Sequence, residues 1–169
     1  MDDPFNCVHF RREGGAKVPI TTADQVADYL LALAEERGDE VNNLKLNKLL
    51  YYAQAWHLGR HGEPLFPERF QAWSTGPAIP ALYWKYKPWS IRHIGRHAAP
   101  PVFDDRTARL LGEIADEYMW MDEYDLADLT CRETPWIRAR GAIDLGDPCE
   151  TELDEGDMHA FFRHTAEAA

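Results

Sequence analysis

Serine is almost missing from this sequence: Ser74 and Ser90 are the two found in 169 residues. Neither lies in a Gly-x-Ser-x-Gly elbow, which excludes the usual serine-hydrolase arrangement. Cysteine is nearly as scarce. Cys7, Cys131 and Cys149 are odd in number, widely spaced and never paired as Cys-x-x-Cys. Neither a disulfide framework nor a zinc knuckle is therefore indicated, and nothing local activates a cysteine nucleophile. There is no Walker loop and no Gly-x-Gly-x-x-Gly to cradle nucleotide phosphates. The longest apolar run, around Tyr29–Ala34, stops at Glu35 and falls far short of the ~20 residues of a membrane span. The start, MDDPFNCVHFRREGG, lacks a basic segment followed by an apolar one, which argues against a secretory signal. These absences predict a reduced, cytoplasmic protein.

Positive charge is in deficit as well. With 29 acidic and 18 basic residues the formal charge is −11, so DNA is repelled unless basic residues gather on one face. The acids concentrate in 116–128 and again in 149–157. They are read as solvated faces, with a basic protein partner as the sharper alternative. By contrast, Lys85, Lys87, Arg92 and Arg96 share a stretch without a carboxylate.

What is plentiful is aromatic and apolar material: six Trp, seven Tyr, seven Phe and 45% hydrophobic residues overall, enough to fill the core of one domain. Residues 1–21 read as an N-terminal extension, with a strand through Phe5 and Phe10, a Gly14–Gly15 turn and a return strand, 17–20. Thr22 followed by Gln25 fits a capping box, and Val26, Tyr29, Leu30 and Leu33 recur at helical spacing up to Gly38. Leu46, Leu49, Leu50, Ala53 and His57 trace one face of the next helix. Tyr51, Trp56 and Leu58 widen that face until Lys45, Lys48, Tyr52 and Ala55 remain for a solvated edge, and Gly59 and Gly62 are expected to close the helix. Segment 66–73 reads as extended, Ser74–Pro77 as a turn, and Ala81–Lys87 as a short aromatic helix ended by Pro88. Helices are expected again from Asp104 to Met121, over Leu126–Cys131 and over Glu155–Thr165. The fold class is mainly α, a compact single-domain helical bundle around a buried central helix, with a small β element.

Histidines supply the main catalytic alternative. His57-Leu-Gly-Arg-His61 and His93-Ile-Gly-Arg-His97 each place two imidazoles four apart, so a metal-dependent hydrolase would use His57, His61, His93 and His97. Gly59 and Gly95 weaken the helix that this needs, and neither pair has the Glu of His-Glu-x-x-His. The expectation is no metal and no cofactor, with His57 a core histidine bonded to a backbone carbonyl. Asp116, Glu117, Asp122 and Glu123 lack the shielded cleft that separates carboxylate pKa values. A DNA-binding repressor would want a basic recognition helix, and Ala81–Lys87 is mostly aromatic.

The run Leu44-Lys-Leu-Asn-Lys-Leu-Leu-Tyr-Tyr-Ala-Gln54, then Trp56–His57, Pro64-Leu-Phe66, Phe70-Gln-Ala-Trp73, Gly76–Pro77 with Pro80, and Leu82–Tyr83 resembles the Panacea-domain (SocA-like) antitoxin family of bacterial and phage toxin–antitoxin systems. A weaker likeness continues through Leu126-Ala-Asp-Leu-Thr130, Pro135–Trp136 and Phe161–Phe162, so that residues 22–169 form the domain. The resemblance implies a binding protein, not an enzyme. It implies neutralisation of a partner protein toxin encoded nearby and, for a narrower branch, action as a proteolytic adaptor that delivers the toxin to the ClpXP protease. Candidate contacts are Lys45, Lys48 and Tyr52 on the outer edge of the central helix. The aromatic and basic cluster of Trp73, Tyr83, Trp84, Lys85, Tyr86 and Trp89 joins them, residue types that dominate interface energetics.

Overall fold

The computed structural model describes residues 21–95 and 99–168. Seven α-helices and one two-stranded hairpin follow in the order α1 (Ala23–Arg37), α2 (Asn43–His61), β1 (Gln71–Trp73), β2 (Gly76–Ala78), α3 (Pro80–Tyr86), α4 (Asp105–Tyr118), α5 (Glu123–Cys131), α6 (Thr134–Arg140) and α7 (Glu155–Ala168). The mainly α class with a small β element is what the periodicity predicted. The β element lies at 71–78, whereas the hairpin expected in 1–20 falls outside the described residues.

Local chemistry sets the helix starts. Thr22 accepts from the Gln25 amide while the Gln25 side chain accepts from the Thr22 amide, the reciprocal capping box. Asn42, Asp104 and Asp122 cap α2, α4 and α5 in the same way, each accepting from amides of the first turn. Gly38 ends α1 in the left-handed conformation at φ +75°. α2 ends at Gly62 rather than at Gly59. Gly59 lies inside the helix, where α7 crosses: a Cβ there would stand 2.7 Å from the Phe162 Cβ and 2.9 Å from its carbonyl carbon. Its role is close approach, not termination.

α2 is the axis of the molecule. Leu46, Leu49, Leu50, Tyr51, Tyr52, Ala53 and Ala55 are all fully buried along it. α1, α3, α4, α5, α7 and β2 surround it, with α7 the most extensive neighbour. The solvated edge expected for α2 does not exist: Lys45, Lys48, Tyr52 and Ala55 are buried like the rest. A period-based reading gives polar side chains to water, but here neighbouring elements close over that side and offer carbonyls and a carboxylate instead. Trp56, expected in the core, is half-buried, with its indole N–H donating to the Tyr118 hydroxyl at 3.0 Å.

The strands β1 and β2 pair antiparallel in the register Gln71↔Ala78, Ala72↔Pro77, Trp73↔Gly76. Only Ser74–Thr75 form the turn; Gly76 and Pro77, expected in it, belong to β2. The far edge of β1 is covered by 151–153, with the Ala72 amide donating to the Thr151 carbonyl and the Leu153 amide to Phe70. After α3, Pro88 does not end the turn structure but sits in a 3₁₀ turn, Lys87–Trp89.

Candidate partner-binding surface

The polar residues of α2 form a belt of inward hydrogen bonds that fixes the elements carrying the surface. The Lys48 ammonium, 0% exposed, donates to the Pro77 carbonyl at 2.7 Å. Asn47 accepts from the Ile79 amide at 3.0 Å, and Asn43 donates to the Tyr83 carbonyl at 2.9 Å. These three hold β2 and α3 against α2. Further along, Gln54 donates to the Phe66 carbonyl and accepts from the Leu65 and Phe66 amides. Tyr51 and Tyr52 both donate to the Glu133 carboxylate, at 2.8 and 2.9 Å. Each bond satisfies a group that would otherwise be orphaned in the interior.

Burial shapes the titration of this belt. Loss of hydration pushes the Lys48 ammonium down to about 7. The same cause pushes the Glu133 carboxyl up to about 7, although both tyrosine hydroxyls pull it the other way. Tyr51 and Tyr52 are raised well above the ordinary phenol value, first by burial and then by the Glu133 charge. Gln54 stands in the sequence as the last residue of the Leu44–Gln54 run, whereas Glu133 carries no motif of its own. The signal for them is spacing-independent: a polar residue flanked by core-forming neighbours, such as Glu133 just before Pro135–Trp136.

The histidines separate. Nδ1 of His57 bonds to the Glu63 carbonyl at 2.7 Å, the core role expected of it. His61 packs edge-on against it at 4.8 Å between ring centroids. Burial lowers both imidazole pKa values, with Arg106 and Arg60 lowering His61 further. His93 instead accepts from the Val41 amide at the opposite end of α2, about 20 Å away at 1.5 Å per helical residue. His97 is outside the described residues. Among the described residues no group of three or more His, Cys, Asp or Glu is placed to hold a metal ion.

Of the candidate contacts, Lys45, Lys48 and Tyr52 are thus interior, with Lys45 donating to the Glu40 carbonyl. Tyr86 is interior too, at 3% exposure, on the inner side of α3. Of the remainder, Trp73, Tyr83 and Trp84 come together on the surface, while Lys85 and Trp89 lie outside the groove that these three line. Trp84 is 57% exposed, and Trp73, Tyr83 and Trp89 are half-buried. Tyr83 packs edge-on between Trp73 (4.8 Å, 76°) and Trp84 (5.4 Å, 81°). The indole N–H of Trp73 donates to the Gln71 side chain at 2.8 Å, which fixes that wall. Lys85 pairs with Asp24, and Lys87 places its ammonium 4.0 Å from the Trp84 ring centroid.

These rings border a groove of about 520 Å³, lined also by Ser74, Thr75, Pro80 and Pro148–Glu150. Arg140, a residue the sequence reading passed over, shapes the groove from beneath. Its guanidinium, 2% exposed, donates to the carbonyls of Ala72, Asp144 and Asp147, tying strand β1 to the loop that leads to Pro148. The Trp136 indole donates to the Trp73 carbonyl at 2.9 Å from the same side. The groove is therefore preformed.

These features define a mainly α domain whose central helix directs its polar side chains to inward partners on neighbouring segments, with Trp73, Tyr83 and Trp84 lining one surface groove. The chain belongs to the family described as antitoxin SocA-like, Panacea domain: the family model matches residues 46–137, more than half of the 169. The antitoxin SocA of Caulobacter vibrioides is 41% identical over 61 residues, which are 36% of this chain and 32% of that protein. The matched stretch thus spans about a third of the relative's length. No solved structure matches the chain.

Proposed function

We propose that this chain is an antitoxin that neutralises a partner protein toxin, encoded nearby, by seating it on the surface formed by Trp73, Tyr83, Trp84, Lys85 and Trp89. Family membership supports the class of activity. The single observation that carries the surface is the exposed Trp84 beside a preformed groove with two further rings. Buried aromatic anchors in pockets are what dominate protein–protein binding energy. Nucleic acid is not the partner on this reading, since the net charge is −11 and Lys85 is committed to Asp24. The proposed compartment is the cytoplasm; among the described residues no helix is long and apolar enough to cross a membrane.

The test is co-expression with the product of the neighbouring gene. Growth should be rescued by the wild-type chain and not by Trp84→Ala, and the toxin should co-purify only with the former. Equal rescue by both would reject this surface, and absence of any toxic or co-purifying neighbour would reject the function. Toxin half-life separates the two modes: sequestration leaves it unchanged, while delivery to ClpXP shortens it in a protease-dependent way.

A further inference from the structure

The groove's own chemistry points to what it accepts. Its walls are three rings meeting at steep angles, Trp73 against Tyr83 and Tyr83 against Trp84, and its lining includes the Glu150 carboxylate. Aromatic faces attract cations held within about 6 Å of the ring centroid, and a carboxylate on the same lining adds a counter-charge. The chain already uses one of these rings in that way, for Lys87 stands over Trp84. Among the described residues no cation occupies Trp73 or Tyr83. The net charge of −11 agrees, although further along the segment that supplies Glu150 the Glu152 and Glu155 carboxylates are paired with Arg69 and Asp157 with Arg138.

The opposite end of α2 behaves differently. There Arg60, His61, Arg106 and Arg109 line a second concavity together with Asp105 and Glu113. Arg60 is paired there with Glu113, so that concavity is mixed in charge, whereas the charged residue lining the aromatic groove is Glu150.

We propose that the groove between Trp73, Tyr83 and Trp84, with Glu150 on its lining, is a receptor for an arginine or lysine side chain carried by a basic segment of the protein partner. This rests on the proposed function only for the identity of the protein that supplies the cation. The occupant is a protein segment rather than nucleic acid, because a phosphate backbone would meet Glu150 on a chain of net charge −11. Rim charge of this kind chiefly accelerates association and selects against wrong partners.

The probe is the pentapeptide Ac-Gly-Arg-Gly-Arg-Gly-amide, with Ac-Gly-Glu-Gly-Glu-Gly-amide as its opposite, titrated into the whole chain. The readout is the indole N–H resonances of Trp73 and Trp84. The arginine peptide should shift both saturably, and the glutamate peptide should bind there about tenfold more weakly or not at all. Glu150→Lys should weaken the arginine peptide about threefold to tenfold with the rest of the spectrum unchanged. Tyr83→Leu, which keeps bulk but removes the ring, should weaken it too. Equal shifts from both peptides, silent indoles, or an unaffected Glu150→Lys would overturn the proposal. If the peptide behaves as expected but Trp84→Ala still captures the neighbour toxin, the groove accepts cations and the proposed docking of the toxin is the part that fails.

Discussion

Lysine 48 and lysine 85 sit among aromatics in the same half of the molecule and live in different worlds. Lys48 is sealed under β2 with one carbonyl for company, while Lys85 is exposed and paired with Asp24. The contrast repeats for tyrosines. Tyr52 stacks on Tyr118 at 3.9 Å in the interior and gives its hydroxyl to Glu133, whereas Tyr83 walls an open groove. The inner set builds the frame, and the outer set is what the frame presents. Substitutions inside should therefore change stability, and substitutions outside should change binding alone.

The sharpest way to break that division is Lys48→Ala. It leaves a cavity and an unsatisfied Pro77 carbonyl, and is expected to cost about 3 kcal/mol in chemical denaturation. Lys48→Met should cost clearly less, because the ion disappears while the volume stays. Next is Gly76→Ala. Gly76 adopts φ +92°, and a Cβ there would meet Thr130 Oγ1 at 2.5 Å. Thr130 is itself held by donating to the Ala127 carbonyl at 2.7 Å, so it cannot simply swing aside. A loss of about 2 kcal/mol is expected in the same assay.

The inner pair also predicts a pH profile. Glu133 is raised from 4.5 to about 7, so the folded chain holds that proton more tightly; its stabilising contribution is full below pH 4.5 and lost as pH rises through about 7. Lys48 is lowered from 10.5 to about 7, so its penalty is full below about pH 7 and relieved as pH climbs toward 10.5. The two contributions together are least favourable near pH 7. Melting curves across pH should show Glu133→Gln removing the decline on the acid side and Lys48→Met removing the recovery on the alkaline side. Parallel curves for wild type and variants would contradict the burial of these charges.

The smallest effect on stability belongs to the outside. Trp84→Ala should stay within about 0.5 kcal/mol of wild type by denaturation while weakening partner capture at least tenfold. Any large destabilisation there would erase the distinction between frame and face.

Periodicity made α1, α2, α4 and α5 legible, because apolar spacing and caps such as Thr22–Gln25 are local signals. It failed at Lys45, Lys48 and Tyr52 for a physical reason: helical spacing ranks the sides of a helix but cannot say that the least apolar side is also covered. Which carbonyls wait for Lys48 is decided by β2, some thirty residues downstream, and the Tyr51–Tyr52 acceptor by Glu133, further still. The extended segment 66–73 announced β1, but Gly76–Pro77 carries turn chemistry, and its place in β2 follows from the pairing Ala72↔Pro77 and Trp73↔Gly76. The aromatic cluster around Trp73 and Trp84 could be assembled from sequence as a list, but Tyr86 had to be removed from it by burial. Arg140 gave no local signal, and Glu150 was legible only as one member of the acidic stretch 149–157.

Gly59 carries a consequence for how the molecule is made. By letting Phe162 lie against the backbone of α2, it joins the middle of the chain to the helix that ends the described residues. A ribosome delivers α2 about a hundred residues before α7, and until α7 arrives the sequence-hydrophobic axis of the domain stays partly bare. Each newly made copy therefore passes through a period with its core helix uncovered, in which it is open to proteases and chaperones.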